Sequence, residues 1–221
     1  MKFLLTSGGI TNKSIAKALV DLVGKKANET KIAFIPTAAN VEHGKKDWLI
    51  NDLYNLQKEG YKVDIVDFSA IPKEIWEKRL EETDVLFFGG GNTFWLRYCL
   101  KKSGLWDLLP ELLNTRVYAG ISPGSIITTK SLELSESKKI YDEDNSLVDD
   151  KGEDGLGFMN FYIRPHLNSS DFPNIRREIL EKRAKDIPGI IYAIDDQSAL
   201  KIVDGKIEII SEGEYLIFNN A

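Results

Sequence analysis

Cysteine and histidine are nearly absent from this chain: one cysteine, Cys99, and two histidines, His43 and His166, in 221 residues. A lone cysteine forms no intramolecular disulfide, and there is no cysteine or histidine cluster to hold zinc. Any hydrolytic chemistry has to use histidine sparingly, and no metal or cofactor is expected. Long hydrophobic runs are missing as well. The apolar stretch Lys2-Phe3-Leu4-Leu5-Thr6 is too short for a signal peptide or a membrane span, so a reducing cytoplasm is the expected compartment. An excess of positive charge is the third absence. The net charge of −5 argues against nucleic acid or an anionic membrane as the main partner.

What is present is ordinary globular composition, with 43% hydrophobic and 29% charged residues, so disorder is not the default. The length fits one α/β domain over residues 1–221, and no repeat, low-complexity tract or linker interrupts it. Short apolar runs at 2–6, 31–36, 62–66, 84–88 and 116–119 predict strands. Between them, helical spacing predicts helices over 12–23, 44–59, 73–79, 93–103 and 106–113. This alternation predicts a mostly parallel sheet with helices on both faces. Further strands are expected at 158–165, 190–194, 199–203, 206–210 and 215–218, the C-terminal ones antiparallel. A helix is expected from Asp171-Phe172-Pro173 to about residue 185. Asp204-Gly205 reads as a hairpin turn. Residues 133–154 carry nine acidic residues and three lysines and read as an exposed loop or loose hairpin. Within them Asp142, Asp144, Ser146, Asp150 and Glu153 match part of a calcium-loop spacing. Leu147 stands where that loop needs glycine, so a solvated acidic loop is the better reading.

The chemistry centres on Gly120-Ile121-Ser122-Pro123-Gly124, a G-x-S-x-G pattern after an expected strand and before an expected helix at 125–130. That is the setting of a nucleophile elbow, in which a strained turn exposes the serine and forces small residues two positions away on either side. The plainer reading is a βα turn with a capping serine. Ser125 is a second hydroxyl, better suited to hydrogen bonding at a helix start than to attack. Gly89-Gly90-Gly91-Asn92 follows another strand, and its free N–H groups could bind an oxyanion. A phosphate cradle has weak support, because neither G-K-[ST] nor G-x-G-x-x-G is present. Ser7-Gly8-Gly9 is a similar loop after the first strand, and both loops belong at the carboxyl edge of the sheet. His166, in Arg164-Pro165-His166-Leu167-Asn168, follows the serine in chain order and suits a general base. His43 sits in a polar loop and is expected to be exposed.

Gly89-Gly90-Gly91-Asn92-Thr93, Gly120-x-Ser122-x-Gly124-Ser125 and Gly155-Leu156-Gly157 leading into Pro165-His166 together resemble the peptidase E (aspartyl dipeptidase) family of serine peptidases, over roughly residues 1 to 200. The resemblance implies a flavodoxin-like α/β fold, akin to the class I glutamine amidotransferases. It also implies a Ser–His–acid triad and hydrolysis of dipeptides with N-terminal aspartate, without cofactor or metal. It assigns Ser122 as nucleophile, His166 as base, and Gly90, Gly91, Asn92 and Gly124 to the oxyanion and substrate. The family's acid lies at the end of a late strand, where this chain has Asp195-Asp196. Asp196 is favoured, with Asp195 or an acid in 133–154 as alternatives.

Two departures stand out. The family usually has alanine where this chain has Pro123, and proline lacks the N–H that the position after the nucleophile gives to the oxyanion hole. One such donor is worth about 2.7–4 kcal/mol. The family's aspartate-binding arginine lies shortly after the histidine. Arg176 and Arg177 are the nearest here, at a spacing that matches poorly, and Arg176 is the candidate. The expected partner is a small peptide, and the expected assembly a monomer or weak homodimer. The competing reading is a non-catalytic relative that binds an acidic small molecule or peptide. An amidotransferase or redox chaperone of the cysteine-elbow type is disfavoured, since the elbow carries serine and Cys99 falls in a helix.

Overall fold

The computed structural model describes residues 1–135 and 152–220. Five strands, β1 (Lys2–Thr6), β2 (Lys31–Ile35), β3 (Lys62–Ile65), β4 (Val85–Phe88) and β5 (Val117–Ile121), run parallel in one sheet. β8 (Ser198–Val203) and β9 (Lys206–Ser211) extend it antiparallel beyond β1, giving the order β3-β2-β4-β5-β1-β8-β9. Away from their ends the central strands are apolar on both faces, because both faces are covered. Phe3, Leu5, Ile35 and Phe88 point into one core, and Leu4, Ile32, Phe34 and Phe87 into the other. Burying each such leucine or phenylalanine is worth about 1.5–3 kcal/mol.

Helices α1 (Lys13–Val23) and α2 (Asp47–Lys58) cover the second core with Ile15, Leu19, Leu22 and Leu56. Helices α3 (Lys73–Glu81), α4 (Thr93–Ser103) and α5 (Leu105–Leu112) cover the first with Trp76, Leu80, Leu96, Leu100 and Leu109. α1 and α4 begin the same way. Asn12 accepts from the Ile15 N–H and Asn92 from the Trp95 N–H, and each helix stops at a left-handed glycine, Gly24 or Gly104. Asp204 and Gly205 both have positive φ (48° and 81°), which suits the two-residue β8–β9 turn.

A second sheet carries β6 (Tyr162–Arg164), β7 (Ile191–Ile194) and β10 (Tyr215–Phe218) in the order β10-β7-β6. α7 (Arg177–Ala184) packs on it through Leu180 and Ala184. α7 begins six residues later than the sequence predicts, because other bonds claim the backbone before it. Asn168 N–H donates to the Ile175 carbonyl, and the Arg176 guanidinium donates to the carbonyls of Ser169, Phe172 and Ile175. The helix expected at 125–130 is one turn, α6 (Pro123–Ile126). Proline suits its first position, and the hydroxyls of Thr128 and Thr129 bond back to the Ser125 and Ile126 carbonyls as it ends.

The ends of the acidic segment run against each other. Leu132 N–H donates to Glu153 O (2.6 Å) and Gly155 N–H to Lys130 O (3.0 Å). Asp154 is held by Arg97 and by Lys101, the latter at 2.8 Å. Of the calcium-like positions, Asp142, Asp144, Ser146 and Asp150 lie outside the described residues. Among the described residues no helix is long and apolar enough to cross a membrane.

Candidate active site

Strand order brings three loops together. β5 lies between β4 and β1, so Gly89–Gly91 after β4, Ser122 after β5 and Ser7-Gly8-Gly9 after β1 share one carboxyl edge. The small sheet adds His166 after β6 and Asp195-Asp196 after β7.

Ser122 has φ 48° and ψ −105°, a left-handed conformation that costs a non-glycine residue about 1–3 kcal/mol. The turn is so tight that a Cβ on Gly120 would lie 2.4 Å from the Gly124 carbonyl oxygen. One on Gly124 would lie 2.3 Å from that of Phe88. Only glycine fits either place. Ser122 N–H donates to Thr6 O (3.1 Å) and its carbonyl accepts from Ser125 N–H (2.9 Å), which fixes the elbow. The Ser125 hydroxyl is fully buried and spent on the carbonyls of Thr6 (2.8 Å) and Gly120 (2.9 Å). It ties β1 to β5 and is not placed to attack anything.

His166 Nε2 lies 2.9 Å from Ser122 Oγ, and Nδ1 lies 2.8 Å from Asp196 Oδ1. An ionised carboxylate only accepts, so Nδ1 carries the proton and Nε2 is left to accept from the serine hydroxyl. The ring is stacked on Phe172, centroids 4.1 Å apart, and the His166 backbone is itself left-handed at φ 65°. Ser7 braces the assembly. Its hydroxyl donates to Asp196 Oδ1 (2.5 Å) and accepts the His166 backbone N–H (2.8 Å). Thr11 holds the other end of Asp196, donating to its carbonyl at 2.7 Å. Burial opposes ionisation of Asp196. The hydrogen bond and charge of His166 and the hydrogen bond from Ser7 outweigh it and hold the carboxyl below the usual range. Asp195 points elsewhere. Its oxygens accept from the Gln197 and Glu214 N–H groups and the Ser198 hydroxyl, closing the turn between the two sheets. Chemically, a hydroxyl, an imidazole and a carboxylate in series can move the hydroxyl proton onto the ring while the carboxylate stabilises the cation that forms.

Beside them, the N–H groups of Gly90, Gly91 and Gly124 have no acceptor among the described residues. Gly91 is obligatory, with φ 131° and space for a Cβ only 2.2 Å from the Ala38 carbonyl oxygen. Pro123, buried at the first position of α6, has no N–H to add. Among the described residues no group of three or more His, Cys, Asp or Glu is arranged to hold a metal ion. Cys99 is buried in α4, and burial pushes its thiol up to about 12.

Two expected positions have other employment. The Asn92 side chain caps α4 by accepting the Trp95 N–H at 2.8 Å, a helix-start bond rather than one aimed at the oxyanion. The Arg176 guanidinium is spent on three backbone carbonyls of the 169–175 loop and braces the segment bearing Phe172, a position far better suited to holding His166 in place than to gripping a substrate carboxylate. His43 is exposed, as its polar surroundings predict. Sequence reasoning missed Ser7, Thr11, Phe172 and Asp52. For Ser7 the signal was its place immediately before two glycines at the end of the first strand. Asp52 lies on α2 near the same loop, and burial, with the charge of Asp196 adding to it, pushes its carboxyl up to about 8.

The chain is 26% identical over 193 residues to an uncharacterized peptidase of Pasteurella multocida, covering 86% of this chain and 89% of that one. It is 28% identical over 194 residues to the peptidase E of a Nostoc species, covering 85% and 75%. A solved structure from Listeria monocytogenes EGD-e superposes with a TM-score of 0.81 at 23% identity, covering 96% of this chain and 98% of that one, which supports the α/β fold. Residues 3–210 match the description of Peptidase family S51, and the chain belongs to that family.

Proposed function

We propose that this family S51 member is a serine peptidase acting on short peptides, with dipeptides bearing N-terminal aspartate as the favoured substrates. The observation that carries the reading is the pair of hydrogen bonds at 2.9 and 2.8 Å linking Ser122 to His166 and His166 to Asp196. Ser122 Oγ attacks the scissile carbonyl as its proton passes to His166 Nε2. The peptide C–N bond then breaks, and His166 returns the proton to the leaving amine. Water, deprotonated by the same ring, releases the acyl group from Ser122. Asp196 keeps the ring in the required tautomer, and the N–H groups of Gly90, Gly91 and Gly124 receive the oxyanion. Preference for aspartate comes from the resemblance and from the relative named peptidase E.

Hydrolysis of aspartyl p-nitroanilide, beside the alanyl analogue and the Ser122→Ala protein, tests this. Release from the aspartyl substrate, lost in the variant by at least about 10⁴-fold, is expected. Full activity in Ser122→Ala would sink the assignment. Pro123 favours a second reading, a relative that binds an acidic peptide without turnover. Failure of a fluorophosphonate to label Ser122 would support it.

A further inference from the structure

Asp52 is a carboxylate beside the site that the chemistry above does not use. It lies on α2 four residues after Trp48, so both side chains share one face of the helix. That face looks onto two of the glycine loops. Asp52 Oδ1 lies 3.3 Å from where a Cβ on Gly9 would stand, and the Trp48 ring lies 3.3 Å from the corresponding point on Gly90. The side chain of Ile121, the residue immediately before Ser122, touches both points, at 3.0 and 3.9 Å. Asp52 therefore lies against the first loop, on the helix face that also reaches the oxyanion loop and beside Ile121, the residue before Ser122.

Asp52 is 9% exposed and makes no hydrogen bond or ion pair with any described residue. A buried carboxylate without a partner is expensive, and an asparagine or leucine would cost the fold less. Asp196 lies on the other side of the same loop, its Cβ 3.1 Å from the Cβ position of Gly8. This place between the loops is electronegative because of Asp196; burial beside that charge pushes the Asp52 carboxyl up to about 8, so Asp52 ionises when a cation arrives to pair with it. The place is suited to a cation that arrives with the substrate and leaves with the product. In a peptide cleaved after its first residue, the α-ammonium is two bonds from the scissile carbonyl, so its receptor has to stand next to the nucleophile.

We propose that Asp52 receives the free α-ammonium group of the substrate's N-terminal residue, so that the protein requires an unblocked amino terminus. The assignment rests on the peptidase reading. It makes Asp52 a specificity-determining residue that contributes nothing to proton transfer.

The test compares aspartyl p-nitroanilide with its N-acetyl derivative in wild type, Asp52→Asn and Asp52→Glu, with fluorophosphonate labelling of Ser122 alongside. The ratio of kcat/KM for the free amine over the acetylated substrate is expected to fall at least about tenfold in Asp52→Asn, mainly through KM. Asp52→Glu, which keeps the charge, should recover part of that ratio. An unchanged ratio in Asp52→Asn, or a parallel loss on both substrates, overturns the proposal while Ser122 labelling and wild-type turnover leave the peptidase reading standing. No turnover of either substrate by wild type, together with no labelling, removes the peptidase reading and this proposal with it.

Discussion

Replacing Ser7 by alanine removes one oxygen that serves two partners. The hydroxyl donates to the Asp196 carboxylate and accepts the His166 N–H at 2.8 Å. A hydrogen bond to a charged group contributes about 1.5–3 kcal/mol net, and an abandoned buried N–H costs about 1–3 kcal/mol. The sum, roughly 2.5–6 kcal/mol, lowers Tm by roughly 5–24 °C in a domain of this size. Activity should fall less steeply than on loss of a triad member, because Asp196 still accepts from His166 Nδ1. We expect kcat to drop about 10- to 100-fold with KM little changed, against about 10⁴ for Asp196→Asn. The pH profile adds a check. The Ser7 hydrogen bond is one of the influences that lower the Asp196 pKa, so its loss moves that pKa up. A lowered carboxylate pKa favours the folded state above the ordinary aspartate range, and the benefit is lost as pH falls through the lowered value. The stability deficit of Ser7→Ala should therefore be constant near neutrality and shrink as pH falls through the aspartate range. The assay is aspartyl p-nitroanilide hydrolysis across pH with calorimetric melting in parallel. A variant with kcat within twofold of wild type and a stability deficit that does not change with pH would refute the bracing role.

Pro123→Ala adds an N–H to those of Gly90, Gly91 and Gly124, which the proposed function assigns to the oxyanion, so kcat should change by less than about tenfold. A gain of about 10²–10³ would mean the hole lacks a donor that it needs. Burial opposes ionisation of Asp154, but the hydrogen bonds of Lys101 and Arg97 outweigh it and bring its carboxyl down to about 2. From the ordinary 3.8 that fall corresponds to about 2.5 kcal/mol. Asp154 is half exposed, and solvent screening reduces this to about 1 kcal/mol. Asp154→Asn should cost about that much stability above pH 4 and only a small part of it at pH 2, as urea titrations at the two pH values would show; equal losses at both would contradict the ion-pair account.

The parts of the site that were legible in the sequence were those that sterics dictate. Gly120 and Gly124 are needed by a turn that leaves no room for a Cβ, so their spacing around Ser122 reported the elbow directly. His166 was readable because the chain has only one other imidazole to offer, and that one is exposed. The parallel sheet announced itself in strands whose inner positions are apolar on both faces. Asp195 and Asp196 could not be separated by residue type, since adjacent carboxylates at one strand end look alike. Their difference lies in which way the turn aims each, one at backbone N–H groups and the other at the imidazole. Ser7 and Asp52 were silent for another reason. Each acquires its meaning from a neighbour far along the chain, 189 residues away for Ser7 and Asp196. Arg176 and the Asn92 Oδ1 also have a local use in backbone hydrogen bonds, which spacing does not report.

The position of β1 between β5 and β8 has a consequence for how this protein is made. β1 cannot gain its second neighbour until residues 198–203 have been synthesised, and Ser7 waits as long for Asp196. At translation rates of about 5–20 residues per second, the 74 residues from Ser122 to Asp196 take roughly 4–15 s, during which the turn at Ser122 has been made but the set it joins is incomplete. The hydrolytic unit is thus assembled last, by the same contacts that complete the sheet. A partly made chain would be inert toward the peptides around it. Such distant pairing also slows folding, because loop closure has to be met before the contact rewards it. Appearance of activity is therefore a late and strict readout of folding in this chain.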